Sequence, residues 1–102
     1  MLILGIETSC DDTSCALWDP DRGVVVHRTA AQLDHEIYGG VVPEIASRSH
    51  MRALLPLWET VMAEGAVSLD DLAGIGVTNG PGLVGSLLVG LSFAKGLAYG
   101  AG

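Results

Sequence analysis

Basic residues are scarce in this chain. Lys and Arg together number 5 against 12 Asp and Glu, which leaves a formal net charge of −7. That balance argues against a general nucleic-acid-binding surface on this stretch, because phosphate backbones are gripped mainly by clustered Lys and Arg. A phosphate site built from backbone amides stays open, since amides carry no formal charge. Cysteine is scarce as well. The 2 present, Cys10 and Cys15, are too few for the disulfide framework of a small secreted domain, so thiols in a reducing cytoplasm are expected. The start Met1-Leu2-Ile3-Leu4-Gly5 lacks the basic flank of a secretory leader. Residues 74–94 carry no charge, but Asn79-Gly80-Pro81-Gly82 divides them into a strand and a helix, each too short to cross a bilayer. A soluble, cytoplasmic protein away from membranes is therefore expected. What remains is 102 residues that are 49% hydrophobic and 17% charged, the profile of a folding chain with one modest core.

The local pattern predicts strands over residues 2–6, 14–18, 24–29 and 73–78, each short, apolar and closed by turn chemistry. Asp19-Pro20-Asp21-Arg22-Gly23 marks the turn between the second and third. Residues 30–42 read as a long loop, either a plain connector or a functional one. Pro43 suits the first turn of a helix running to about Glu64, with Ile45, Ala46, Leu54, Leu57, Trp58 and Val61 as its apolar stripe. Pro56 falls inside that pattern and predicts a kink. Residues 68–71 read as a capped single turn, and residues 83–100 as a helix apolar nearly all round, whose Gly85, Gly90 and Gly96 permit close packing. The order is β-β-β-α-β-α, an α/β fold. A helical crossover makes the fourth strand parallel to the first, so the loops that follow both strands leave the same end of the sheet.

Those two loops are the candidate site. Thr8-Ser9-Cys10-Asp11-Asp12-Thr13 offers amides, hydroxyls and carboxylates together, and Asn79-Gly80-Pro81-Gly82 leads into the N-terminus of the last helix. Such a nest of donors favours a phosphate. The same composition also suits an ordinary polar hairpin loop. His27, His35 and His50 are not spaced to share one helical face, so each is expected at the surface or in packing and none is read as a metal ligand.

The stretch from Ile3 to Thr13 resembles the opening motif of the TsaD (YgjD/Gcp) proteins. His35-Glu36-Ile37-Tyr38-Gly39-Gly40-Val41-Val42-Pro43-Glu44 with Ile45-Ala46-Ser47-Arg48 resembles their second block, and Asn79-Gly80-Pro81-Gly82-Leu83-Val84-Gly85 their third. The resemblance implies one lobe of an actin-like ATPase (ribonuclease H-like) fold over residues 1–102, truncated before its second lobe. It implies an acyltransferase that moves threonylcarbamoyl from its adenylate to N6 of the adenosine beside the tRNA anticodon. Asp11 and Asp12 would be the catalytic carboxylates. Thr8, Ser9, Cys10, Thr13, Asn79, Gly80, Pro81 and Gly82 would contact threonylcarbamoyl-AMP or an ATP-type nucleotide. The complete protein would also hold one metal ion, iron or zinc, through a His-x-x-x-His pair that this chain does not contain, so the chain alone is expected to be inactive. The older glycoprotease label of the family is treated as historical. Expected partners are tRNA and a TsaB-type paralogue docking on the two helices, with Ile45, Leu54, Leu57 and Trp58 as candidates, although an amphipathic stripe serves equally as core. The truncated lobe, with a bare edge on its fourth strand, is expected to self-associate. A non-catalytic TsaB-like scaffold is the alternative reading.

Overall fold

A computed structural model describes residues 1–31 and 43–101. The strands are β1 (Leu2–Glu7), β2 (Asp12–Asp19), β3 (Gly23–Ala31) and β4 (Leu72–Val77), and the helices are α1 (Pro43–Gly65) and α2 (Val84–Ala101). They form one four-stranded sheet in the order β3-β2-β1-β4. The β1–β2 and β2–β3 pairs are antiparallel, whereas β1 and β4 run parallel with Leu4 beside Ile75 and Ile6 beside Val77. The β-β-β-α-β-α order and the parallel fourth strand thus match the sequence reading. Residues 35–42 of the second family block lie outside the described residues, and its remainder opens α1.

Strand alternation decides which face is covered. Leu4, Ile6, Cys15, Leu17 and Val26 point to one side and meet Leu54, Val61 and Met62 of α1 and Ala94 of α2 in a single core. Trp58 and Phe93 lock the two helices edge to face, with ring centroids 5.9 Å apart. Glu44 and Arg48 pair at 2.5 Å one turn apart on the exposed side of α1. The helix continues through Pro56 to Gly65. It ends in a Schellman turn, where Ala66 takes φ 54° and the Val67 and Ala66 amides donate to Met62 and Ala63 carbonyls at 3.1 Å each. Ser68 and Asp71 then cap the short 3-10 turn Leu69–Asp71, the Ser68 amide donating to Asp71 Oδ2 at 2.8 Å. Among the described residues no helix is long and apolar enough to cross a membrane.

Glycine sets how closely α2 approaches. A Cβ on Gly90 would stand 2.5 Å from Thr8 Oγ1 and 3.3 Å from Val77, so only glycine fits between α2 and the sheet. Gly85 faces α1 more loosely, its Cβ position close only to the Ser47 hydroxyl, at 2.6 Å. Gly96 departs from the expectation, since among the described residues nothing lies within 4 Å of where its Cβ would be. The docking candidates also change. Leu54 is core, Leu57 and Trp58 pack against it and Ile45 is half-buried, whereas the exposed large apolar residues of the helices are Met51, Leu55, Val84, Leu88 and Tyr99. The stripe named from periodicity found the core, and the exposed apolar residues lie off it.

Candidate functional site

Parallel pairing of β1 with β4 carries their two following turns to one end of the sheet. The Thr78 amide extends the ladder by donating to the Ile6 carbonyl at 3.1 Å. Its hydroxyl donates to Glu7 Oε2 at 2.6 Å, and the Ser9 amide donates to Glu7 Oε1 at 2.5 Å. Glu7 is thus a bracket between the turns. Burial works to raise its pKa, but hydrogen bonds from Ser9 and Thr78 outweigh that and hold it below the ordinary glutamate value. Across the gap the Leu83 amide donates to the Ser9 carbonyl at 2.7 Å. A Cβ on Gly82 would stand 2.5 Å from that same oxygen, so the glycine is what lets the turns touch.

The Thr8 side chain is fully buried and works inside the lobe. Its hydroxyl donates to the Ser86 carbonyl at 2.6 Å and accepts from the Gly90 amide at 3.1 Å, joining an i,i+4 rung of α2. Thr13 is equally buried and meets His50 Nδ1 at 2.7 Å, while His50 Nε2 meets the Cys10 carbonyl at 2.8 Å. The turn between β1 and β2 is therefore tied to α1, to α2 and to the β4 turn.

Relative to the sequence expectation, the structure brings Ser9 against Gly82 and its neighbours as foreseen, but it turns the Thr8 and Thr13 hydroxyls inward and engages both Ser9 backbone groups. Asp12 and Thr13 belong to β2, which begins two residues before the predicted strand. Cys10, Asp12, Asn79, Gly80, Pro81 and Gly82 are exposed, and Asp11 is half-buried. Among the described residues the Asp11 and Asp12 carboxylates make no hydrogen bond or ion pair, which leaves them available to an incoming group. Both cysteines are free, and burial pushes the Cys15 thiol up to about 11. Beside the turns, on the helix-free face, a concavity of about 400 Å³ is lined by Glu7, Ser14, His27 and Thr78 with Gly5 and Gly76. Another of about 450 Å³ runs between β4 and α2 and is mostly apolar, so it belongs to packing at the sheet edge. No group of His, Cys, Asp and Glu among the described residues could hold a metal ion.

Glu7, Thr78 and His50 were absent from the sequence-based site. Glu7 and Thr78 follow the last apolar residues of two parallel strands, a signal visible once the crossover is assumed. His50 stands at i+4 from Ala46 and i−4 from Leu54, so a polar ring in the middle of the core stripe was its signal.

The sequence model of tRNA N6-adenosine threonylcarbamoyltransferase, TsaD, matches residues 23–102. The chain belongs to the TsaD family. The protein of that name from Methylobacillus flagellatus is 56% identical over 100 residues, covering 97% of this chain and 30% of the relative. The one from Burkholderia cenocepacia is 54% identical over 99 residues, covering 96% and 29%. The chain thus spans about 30% of the length of the curated relatives it matches. Among solved structures, YeaZ from Pseudomonas aeruginosa superposes with a TM-score of 0.76 at 22% identity, covering 98% of this chain and 39% of that one. That likeness shows the actin-like fold. Sequence identity favours the transferase family over a TsaB-like scaffold.

Proposed function

We propose that this chain is the N-terminal lobe of a tRNA N6-adenosine threonylcarbamoyltransferase, whose donor is threonylcarbamoyl-AMP. The observation that carries the reading is the pair of clamped turns: Asp11 on one, with Asp12 beside it at the start of β2, both without a partner among the described residues, and exposed Gly80 and Gly82 on the other, in a chain of the TsaD family. In the transfer, N6 of adenosine attacks the carbamoyl carbon, the bond from that carbon to the phosphate oxygen breaks, and AMP leaves. Asp11 is suited to hold the attacking amine and take up its proton, while the glycine turn admits the phosphate close to backbone. With a net charge of −7, this lobe does not provide the main tRNA-binding surface, which belongs elsewhere in the protein or its partners. The outward Met51, Leu55, Val84 and Leu88 suit a TsaB-type paralogue docking across both helices. The metal ion implied by the family finds no ligand set among the described residues, so no step is drawn through it.

The test incubates the full-length protein and its partner proteins with synthetic threonylcarbamoyl-AMP and tRNA, then digests the tRNA and weighs its nucleosides. Threonylcarbamoyladenosine is expected. Unmodified adenosine with intact donor would overturn the reading.

A further inference from the structure

His50 lies on the inward stripe of α1 and is fully buried, where a packing residue would ordinarily stand. Each ring nitrogen meets a different residue of one short stretch: Nε2 the Cys10 carbonyl at 2.8 Å, Nδ1 the Thr13 hydroxyl at 2.7 Å. A carbonyl oxygen only accepts, so Nε2 carries the hydrogen. The Thr13 hydroxyl, with no other partner among the described residues, then donates to the bare Nδ1. In the reverse arrangement the Thr13 proton would be buried without an acceptor, which is costly. Between the anchor points stand Asp11 and Asp12, whose carboxylates have no partner of their own among the described residues.

We propose that His50 is a positioning residue: as the Nε2–H tautomer it grips the stretch from Cys10 to Thr13 at both ends and fixes where the Asp11 carboxylate meets the reacting group. The proposal rests on the reading of this turn as the reaction site. Its reach differs from that of an ordinary core contact, since the ring touches the backbone on one side of the carboxylates and a side chain on the other.

The test uses the full-length protein and the pair Thr13→Val and Thr13→Ser. Valine keeps the shape and removes the donor. It is expected to lower kcat for transfer about tenfold, to leave KM for threonylcarbamoyl-AMP within about twofold, and to speed amide exchange at residues 10–13 about tenfold. Exchange along β2, β3 and α1 should stay unchanged, and Thr13→Ser should restore both readouts. Nitrogen-15 shifts of His50 in the parent protein should report a hydrogen on Nε2 alone. A hydrogen on Nδ1 alone, or Thr13→Val matching its parent in kcat and local exchange, would overturn the proposal. So would faster exchange spread evenly over the molecule, the mark of general destabilisation. Absence of transfer in the parent protein would instead sink the functional reading, and the nitrogen-15 and exchange results would still pass or fail the His50 grip.

Discussion

β2 has a turn at each end, and the two are held in opposite ways. The turn after it, residues 20–22, closes on itself: Asp19 Oδ1 accepts from the Asp21 amide at 2.8 Å and the Arg22 amide at 3.2 Å. The turn before it, residues 8–11, has one such local bond, from the Ser9 amide to Glu7, and takes its other partners from far along the chain. Thr8 reaches Ser86 and Gly90, Ser9 reaches Leu83, and Cys10 reaches His50. Both turns are short and carry one Asp, yet one closes by local chemistry alone and the other is completed only by the fold. A loop that must present carboxylates in one geometry is fixed from outside, while a loop that only reverses the chain needs no more than its own Asp.

The contrast can be broken most strongly at Gly90. A methyl placed 2.5 Å from Thr8 Oγ1 pries the site turn from α2, so Gly90→Ala is expected to cost about 1–3 kcal/mol despite the better helix propensity of alanine. Gly96→Ala, with open space at its Cβ, is the control and should stabilise by up to about 1 kcal/mol. Urea unfolding of both variants measures the pair.

A smaller effect comes from the Glu7 bracket. Its folded pKa lies below the ordinary value of 4.5, so its contribution to stability is present above that pH and is lost as pH falls through the folded value. Stability measured at neutral pH and at acid pH should therefore fall less in Glu7→Gln than in the parent. A fall of equal size in both would remove Glu7 from the account. The smallest effect is expected at the other turn. Asp19→Asn should loosen amide exchange at residues 20–22 and leave residues 8–13 untouched, because the two turns share no contact.

The same contrast explains what could be read from the sequence. The strands, the order of elements and the meeting of the two turns follow from apolar runs, turn residues and the handed crossover, all of which are local or topological. The turn at residues 20–22 was legible for that reason. The inward rotation of Thr8 was not, because it depends on a glycine 82 positions away admitting the hydroxyl to a helical rung. His50 was expected either at the surface or in packing, and it is buried, but its two hydrogen bonds to the site turn follow only from tertiary placement. Gly96 looked the same as Gly90 in the helix pattern, and only the packed structure separates the one that meets the sheet from the one that faces open space.

The most direct measurement compares Asp11→Ala with Asp21→Ala in the full-length protein, each assayed for transfer of threonylcarbamoyl to tRNA and for melting temperature. The account predicts that Asp11→Ala loses about 100-fold or more in kcat while melting as the parent does, and that Asp21→Ala transfers normally. Full activity in Asp11→Ala, or equal losses in both, would contradict it.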